Sequence, residues 1–239
     1  MICRVESVDS GERNRPVLAV ILFGAPGSGK GTQARLLRTH CINGPHISTG
    51  DMLREHIASG DEIGLLSRER MKAGRLVPDE LVNRLVEERI QQPDCREGFI
   101  LDGYPRTVNQ ATMLREMANR FRVDASVVHL LVDYEKLVAR LSGRRQCPVC
   151  GTLYSSKTNP PKMTGVCDRD GAVLVTREDD REEVIRERLR QYDLETRPVL
   201  DYFRQAGVPM VEVEGAGAAP EAIAAGICGN LAQQGRATK

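Results

Sequence analysis

Tryptophan is absent from this sequence, aromatic residues are few, and the charges nearly cancel. Aromatic residues make up 4% of the 239 residues, and the formal net charge is +1. Surfaces that bind nucleic acids combine clustered basic residues with interleaved aromatic side chains, so this composition argues against one. Long apolar runs are also missing: the longest has about seven residues, whereas a helix that spans a bilayer needs about 20. We therefore expect neither a nucleic acid nor a membrane as a partner.

The amino terminus shows no pattern typical of a targeting signal. Its first 16 residues lack an apolar stretch, and acidic residues are mixed with the arginines. A secretory signal or transit peptide is therefore not expected. We predict a polar, poorly ordered extension over residues 1–16 and one sizeable domain over residues 17–239, which suits the length of the chain.

The seven cysteines fall into a scattered group and a clustered group. The scattered ones are predicted to be reduced, structural residues: Cys3, Cys41, Cys95 and Cys228. An odd number of cysteines without a secretory signal favours a reducing, cytoplasmic location.

Short apolar runs alternate with amphipathic helical patterns along most of the chain. Five of these runs are typical of buried strands, and they lie at Val17–Phe23, His46–Ser48, Phe99–Leu101, Val127–Val132 and Met210–Val213. Buried strands separated by helices indicate a parallel sheet with helices on both faces. The sequence thus predicts an α/β fold with a doubly wound, five-stranded parallel sheet.

The segment Gly24–Thr32, with the sequence GAPGSGKGT, connects the first predicted strand to a helical pattern. Strand, glycine-rich turn and helix form the context of the phosphate-binding loop in P-loop NTPases. Glycines let backbone N–H groups converge on an anion, and the helix N-terminus adds partial positive charge. Lys30 is then placed to reach the outer phosphates, and the Thr32 hydroxyl to face Mg²⁺. This segment predicts a site for a nucleoside triphosphate.

Residues 143–180 interrupt the alternation of strands and helices, because helical periodicity disappears and Gly, Pro, Thr, Ser and Cys dominate. Two ligand pairs with equal spacing lie in this segment: Cys147, Cys150, Cys167 and Asp170. They form the pattern of a zinc ribbon in which a carboxylate replaces the fourth cysteine, with Asp168 as the alternative. An insert this small buries too little apolar surface to fold alone, so a structural Zn²⁺ has a physical purpose. A redox-active dithiol is the competing interpretation, but no βα unit follows the cysteines as it requires.

Two further segments, Ser48–Arg54 and Gly98–Gln110, begin at or run through predicted strands. Asp102 ends an apolar strand, at the sheet edge where open α/β proteins bind ligands, and can hold Mg²⁺ or its waters. Arg106 on the following turn can bind a phosphate through its guanidinium. Arginines near the ends of residues 143–180 are candidates to contact a transferring phosphoryl group: Arg144, Arg177 and Arg188. We expect Arg181 and Arg186, by contrast, to lie on a solvated helix face.

Together these motifs resemble the adenylate kinase family, in the long form with a zinc-bearing lid that is common among bacteria. The resemblance extends from about Val17 to Gly215. It rests on GAPGSGKGTQA, STGDMLR, GFILDGYPRT with Gln110, the GRR at Gly143–Arg145, the Cys/Asp cluster and the TREDD at Thr176–Asp180. It implies reversible transfer of the terminal phosphoryl group of MgATP to AMP, giving two ADP.

The resemblance also implies the site residues. Those for ATP are Gly27, Ser28, Gly29, Lys30, Gly31, Thr32, Arg144, Leu153, Tyr154 and Gly217. Those for AMP are Thr49, Arg54, Arg75, Leu76, Val77, Gly103, Tyr104, Pro105, Arg106, Gln110, Arg177 and Arg188. Catalysis would rest on Lys30, Asp102, Arg106, Arg144, Arg177 and Arg188. Residues 143–180 would be the lid and residues 48–77 a helical AMP-binding arm.

The implied chemistry agrees with the residues present. A phosphate oxygen of AMP is already anionic, so the acceptor needs no general base, and the four histidines lie outside the motifs. Positioning and charge neutralisation by Lys30, the arginines and Mg²⁺ would carry catalysis. Water competes as an acceptor, so the cleft has to close, and the lid of adenylate kinases is itself a standard example of such closure.

Three other functions compete with this interpretation. The first is a kinase for another nucleoside monophosphate. Thr49 and Gln110 favour AMP, because the Gln110 amide can pair with both a donor and an acceptor on an adenine edge. The second is a nucleic-acid-binding module, against which the charge and the aromatic content argue. The third is a P-loop switch protein, in which the acceptor arginines and the long insert would have no purpose. We expect a monomer.

Overall fold

A computed structural model describes residues 16–155 and 159–235 of the chain. The polar extension predicted over residues 1–16 lies outside the described residues, except for Pro16. Seven strands are described, and they are β1 (Val17–Phe23), β2 (His46–Ser48), β3 (Phe99–Asp102), β4 (Val123–Leu131), β5 (Arg144–Gln146), β6 (Leu153–Ser155) and β7 (Met210–Glu214).

Five strands form the main sheet in the order β2-β3-β1-β4-β7, with every neighbouring pair parallel. The predicted doubly wound, five-stranded sheet is therefore confirmed. Strand β4 begins at Val123, four residues before the predicted Val127. Asp124 and Ser126 interrupt the apolar pattern there, but the register pairs Val123 with Val17 and extends the strand.

The helices of the described ranges cover both faces of this sheet. They are α1 (Lys30–His40), α2 (Thr49–Ser59), α3 (Glu62–Lys72), α4 (Asp79–Ile90), α5 (Val108–Phe121), α6 (Tyr134–Ser142), α7 (Glu182–Gln191), α8 (Pro198–Gln205) and α9 (Pro220–Gln233). Side chains cap three of them, since Ser48, Asp61 and Thr107 each accept a backbone N–H from the first turn of α2, α3 and α5. No helix within the described ranges is long and apolar enough to cross a membrane.

Alternate residues of the strands point to two separate cores. On one face, Ile21 and Phe99 pack in a buried cluster that includes Phe203 of α8. On the other face, Val20 and Ile100 belong to a cluster completed by residues of α1 and α9. The sheet is thus buried on both sides, which fixes the position of the loops at the carboxyl ends of its strands.

Two segments extend from this sheet and face one cleft. Residues 48–77 carry the packed pair α2 and α3. Residues 143–180 contain the antiparallel pair β5 and β6 and, in their described part, no helix except a 3-10 turn at Glu178–Asp180. The buried core of residues 143–180 is small and consists of Cys147, Tyr154, Cys167 and Leu174.

The structure corrects the prediction for two of the scattered cysteines. Cys41 and Cys228 form a disulfide, with an S–S distance of 2.14 Å, although 187 positions separate them in sequence. Cys41 ends α1 and Cys228 lies in α9, two helices that share one buried cluster. Helix packing brings the thiols together, and no local sequence signal reveals that. Cys95 is free and buried as predicted, and Cys3 lies outside the described residues.

Candidate active site

The predicted phosphate loop lies between β1 and α1. The Lys30 ammonium folds back over this loop and donates to the carbonyl oxygens of Gly24 at 2.7 Å and Ala25 at 3.1 Å. Gly24 has a φ of +145°, and a Cβ at this position would lie 2.7 Å from the carbonyl oxygen of Leu130. Close packing on the backbone of β4 therefore requires glycine and fixes the loop against the sheet.

Lys30 and Asp102 form the charged centre of the cleft. Burial lowers the pKa of Lys30 to about 8, and the negative charge of Asp102 opposes this shift. Burial alone would raise the pKa of Asp102. The hydrogen bond from His46 and the charge of Lys30 outweigh that effect and hold the pKa below its usual value. Asp102 is therefore an anion at neutral pH, with the His46 Nε2 at 3.1 Å from its Oδ2.

Arginine side chains surround the same cleft. Burial lowers the pKa of Arg106 to about 10, and the positive charge of Arg188 adds to the shift. Burial and the charge of Arg54 likewise lower the pKa of Arg177 to about 10. These guanidinium groups remain charged at neutral pH although they lie close together and are desolvated. Such a cluster of buried positive charge is a site for an anion of high charge density, as a polyphosphate is.

Two acidic residues hold several of these arginines in place. Asp180 accepts from Arg144 Nε at 2.6 Å and from Arg188 at 3.1 Å. The Asp179 carboxylate lies 3.1 Å from Arg188 and 4.0 Å from Arg54, and its backbone carbonyl accepts from Arg188 at 3.0 Å. The pairs therefore orient guanidinium groups that the sequence spreads over three segments.

The two extending segments also contact each other across the cleft. Arg177, beyond β6, lies 3.8 Å from the Asp51 carboxylate of α2. The same carboxylate accepts from Arg54 at 2.5 Å. Charged side chains therefore connect residues 48–77 and 143–180 at this point.

A cleft of about 1220 Å³ brings most predicted residues together. The predicted donor-side residues that line it are Gly27, Ser28, Gly29, Lys30, Gly31, Thr32, Arg144, Leu153 and Tyr154. The remaining predicted residues that line it are Arg54, Arg75, Leu76, Asp102, Gly103, Tyr104, Pro105, Arg106, Arg177 and Arg188.

A smaller cavity of about 40 Å³ adjoins this cleft, and the two share Gly50, Met71, Arg75, Leu76, Gly103 and Arg106. Thr49, Val77 and Gln110 line the small cavity. The Thr49 hydroxyl donates to the carbonyl oxygen of Gly103 at 2.8 Å. Gly103 has a φ of +79°, and a Cβ here would lie 3.0 Å from the Thr49 hydroxyl, so this close approach requires glycine.

Two predicted contacts look different in the structure. The Tyr104 side chain is fully buried and its hydroxyl donates to Asn83 at 2.8 Å, so only its backbone is free to contact a ligand. Gly217 is exposed and does not line the cleft, whereas its neighbours Gly215 and Ala218 do. The loop before α9 therefore borders the cleft through residues adjacent to the predicted one.

The cysteine cluster forms a second site at the side of the cleft. One ligand atom from each of Cys147, Cys150, Cys167 and Asp170 lies within 4.8 Å of all the others. Backbone N–H groups of Val149 and Cys150 donate to the Cys147 sulfur at 3.4 Å. Burial outweighs these hydrogen bonds and raises the pKa of the Cys147 thiol to about 11.

Hydrogen bonds distinguish the two candidates for the fourth position of the cluster, Asp168 and Asp170. Asp168 accepts from the backbone N–H of Lys162 at 2.8 Å and is engaged outside the cluster. Asp170 lies 3.2 Å from the Cys147 sulfur. Hydrogen bonds from Cys150 and from the Ala172 backbone hold the pKa of Asp170 below its usual value. Three thiols and one carboxylate at this spacing can hold a metal ion with tetrahedral coordination.

Several residues of the site were missed by sequence reasoning. They are His46, Asp179, Asp180 and Asp79, which accepts from Gln110 Nε2 at 2.8 Å. His46 directly precedes Ile47 and the STGDMLR motif, and Asp179 and Asp180 lie within the TREDD motif, so their positions were a weak signal. Most of their partners are remote in sequence, and only the fold brings them together.

The parallel sheet, the phosphate loop and the facing arginine cluster define a P-loop phosphotransferase with a second, acceptor-side pocket. Comparison with known proteins makes the class specific. The adenylate kinase family model matches residues 22–208, which is most of the chain. The chain belongs to the adenylate kinase family and is therefore a nucleoside monophosphate kinase.

Curated relatives agree with this assignment, and each is named adenylate kinase. The one from Anaeromyxobacter dehalogenans strain 2CP-C is 48% identical over 209 residues, covering 87% of this chain and 96% of the relative. The one from Archaeoglobus fulgidus is 48% identical and covers 82% of this chain and 90% of the relative. The one from Caldanaerobacter subterraneus subsp. tengcongensis is 44% identical, with 83% and 89% covered.

Proposed function

We propose that the chain transfers the terminal phosphoryl group of MgATP reversibly to AMP and produces two ADP. The observation that carries this proposal is the arrangement of the cleft. A phosphate loop lies on one side of it, a pocket lined by Thr49 and Gln110 on the other, and buried arginines between them. Family membership supports the same reaction.

On the donor side, we assign the backbone of residues 27–32 to the ATP phosphates. Lys30 already donates to loop carbonyls, and a phosphate oxygen would replace them as its acceptor. Arg144, Leu153 and Tyr154 would border the adenosine. The loop before α9 would meet the base through backbone groups at Gly217 or at its neighbour Ala218.

The transferring phosphoryl group would lie among Lys30, Arg106, Arg144, Arg177 and Arg188. Their fixed positive charges stabilise the charge on the equatorial oxygens without reorganisation of solvent, and this is the main source of catalysis in phosphoryl transfer. No general base is required, because the attacking oxygen of AMP is ionised. Closure of the cleft keeps water from serving as the acceptor.

On the acceptor side, Arg54 and Arg106 would bind the AMP phosphate. The nucleoside would be enclosed by Thr49 and by the backbone of residues 75–77 and 103–106. Gln110 would form hydrogen bonds to the base. Arg177 and Arg188 would contact phosphates of both nucleotides once the cleft has closed.

Magnesium accompanies ATP in this family, and the residues present suit it. The Asp102 carboxylate lies beside the phosphate loop, 3.7 Å from where a Cβ of Gly31 would be. Asp102, directly or through waters, and the Thr32 hydroxyl would hold the ion, since hard oxygen ligands are those that Mg²⁺ prefers. The ion would supply neutralisation of phosphate charge.

We assign residues 143–180 to a lid and residues 48–77 to an AMP-binding arm, both inserted in the core domain of residues 17–239. The Cys147, Cys150, Cys167 and Asp170 cluster would hold a structural Zn²⁺, because all four positions come from protein and none is left for a reactive water. The small core of the lid is the physical reason for such a metal ion.

We also propose a monomeric, cytoplasmic enzyme, which the nucleotide substrates support. The Cys41–Cys228 disulfide is the observation that stands against a reducing compartment. Thiol titration of the protein trapped at cell lysis, together with light scattering of the pure protein, tests both statements.

A coupled assay with ATP and AMP, CMP, UMP or GMP tests the reaction. We expect AMP to be the preferred acceptor and ADP the only nucleotide product. Gln110→Ala should raise the KM for AMP much more than that for ATP. Equal losses for both nucleotides would show that Gln110 is structural, and preference for another acceptor would overturn the assignment of AMP.

A further inference from the structure

The Gln110 amide at the acceptor pocket is engaged on both of its ends. Its Nε2 donates to Asp79 Oδ1 at 2.8 Å, and its Oε1 accepts from the backbone N–H of Arg106 at 2.7 Å. The side chain is only 2% exposed and lines the small cavity. The amide that we assign to base recognition is therefore held by two partners from different elements.

The chemistry of these partners fixes which end of the amide is which. A carboxylate can only accept and a backbone N–H can only donate. Rotation of the Gln110 amide by 180° would set its oxygen against Asp79 and its NH₂ against the Arg106 N–H. Both bonds would be lost in a buried place where unpaired polar atoms are costly.

Asp79 itself is held firmly in position. Its second oxygen, Oδ2, accepts from the Thr107 hydroxyl at 2.8 Å and from the Asn109 amide at 3.0 Å. Asp79 is also the first residue of α4, where the helix dipole favours a negative charge. These contacts leave Oδ1 to Gln110 and hold Asp79 between the start of α4 and the start of α5.

We propose that Asp79 is a positioning residue that determines specificity, because it locks the orientation of Gln110 toward a 6-aminopurine. The locked amide keeps one N–H and one lone pair for a base. A 6-amino group can donate to that lone pair while a ring nitrogen accepts the N–H. A 6-oxopurine would place its 6-oxygen against the Gln110 Oε1. Because both oxygens are acceptors, no hydrogen bond can form between them. This inference rests on the proposed function and adds a residue outside the predicted site.

The alternative is that Asp79 only ties α4 to α5. A structural tie would affect folding stability and all acceptors alike. If Asp79 instead sets the orientation of the Gln110 amide, its loss changes the preference between acceptors that differ at the purine 6-position. It then affects the acceptor nucleotide and not ATP. AMP and IMP are the matched pair of probes, because they differ only in the 6-amino and 6-oxo groups and the ring proton that goes with them.

The test measures kcat and KM for AMP, IMP and ATP in wild type, Asp79→Ala and Asp79→Asn. In Asp79→Ala we expect kcat/KM for AMP to fall about tenfold through KM, in line with the loss of one oriented base contact. The value for IMP should change much less, and KM for ATP should not change. Asp79→Asn should retain the AMP preference, because its amide oxygen can still accept from Gln110.

Asn109→Ala is the control, since the Asn109 side chain is exposed and donates to Asp79 Oδ2, not to the oxygen that Gln110 uses. It should leave the AMP/IMP ratio unchanged. If Asp79→Ala does not fold, Asp79→Ser carries the same expectation, because a hydroxyl both donates and accepts and imposes no orientation. If kcat/KM fell equally for AMP and IMP, or if Asp79→Asn were as unselective as Asp79→Ala, Asp79 would not be the residue that orients Gln110. Wild type that does not phosphorylate AMP would instead refute the proposed function.

Discussion

The phosphate loop and the cysteine segment border the same cleft but are held in opposite ways. The loop at residues 24–32 packs on β4 and takes its rigidity from a sheet that is buried on both faces. Residues 143–180 rely on a core of four residues, two of which are also metal-ligand candidates. The phosphate loop with Lys30 is therefore supported by the large core, whereas the covering segment, which carries Arg144 and Arg177, depends on its own local contacts.

This difference predicts that activity and stability respond to different substitutions. Changes in the loop should reduce turnover without unfolding the protein, and changes in the cysteine cluster should destabilise one segment with little effect on the chemical step. Four experiments test this separation of activity from stability, and the one with the largest expected effect on activity comes first.

Lys30→Ala should lower kcat at least a hundredfold, because removal of a preorganised charge at the transferring group costs about 3 kcal/mol. The melting temperature should not fall. Burial lowers the pKa of Lys30 to about 8, so the charge of Lys30 is not a source of folding stability. Steady-state kinetics and calorimetry provide the two measurements.

Lys136→Ala is the matched control, since Lys136 of α6 is exposed and pairs with the Asp133 carboxylate just before the helix. It should behave as wild type. If Lys30→Ala kept near-normal turnover, the assignment of the phosphate loop would be wrong.

Binding of ATP by the free enzyme should weaken as the pH rises above about 8. Below that pKa Lys30 is protonated and attracts the phosphates, and above it the charge is lost. The Kd for ATP should therefore rise by up to about tenfold per pH unit. Calorimetric titration between pH 7 and 9.5 measures it. A Kd that stays constant to pH 9.5 would show that Lys30 remains charged.

Cys150→Ser should release the metal ion and lower the melting temperature of the cysteine segment. The content should change from about one zinc ion per chain to none. Activity at low temperature should remain within about threefold of wild type, because a site with four protein ligands has no open position for catalysis. Elemental analysis and calorimetry with magnesium present give the answer.

Val149→Ala is the control for this variant, since Val149 lies between the same ligands but is 74% exposed. It should keep its zinc. If the Cys150→Ser protein were folded and metal-free but inactive at low temperature, the metal ion would be required for catalysis. The phosphate loop and the cysteine segment would then not differ in their effect on activity.

Cys228→Ser should leave activity unchanged and lower the free energy of unfolding of the whole domain. The disulfide closes a loop of 187 residues, and loss of such a cross-link costs about 2–5 kcal/mol. Denaturant titrations of wild type with and without reductant should show the same loss, and Cys95→Ser is the control. Wild type that is insensitive to reductant would mean that the two thiols are not paired in solution.

Most of the fold could be predicted from the sequence, because its signals are local. The five strands of the main sheet are apolar runs between helical patterns. Only β4 begins earlier than predicted, at Val123. The phosphate loop is one contiguous segment whose glycines and lysine carry the geometry directly. The candidate metal ligands, three cysteines and Asp170, form two close pairs, so their spacing identified the cluster that the structure brings together.

The remaining features depend on contacts between distant residues. Asp102 was predicted, but His46, which holds it, comes from the neighbouring strand. Asp179 lies near Arg54 and Asp180 pairs with Arg144, two arginines that are distant in sequence, and no spacing rule links them.

The class of sheet, the phosphate loop, the cysteine cluster and the family can be predicted without the structure, since each is encoded in short stretches with their own physical requirements. The Cys41–Cys228 bond and the Asp79–Gln110 contact cannot. Helix packing and strand order set the distances between these partners. A side chain in a sequence shows what it can donate or accept, but only the fold supplies its partner.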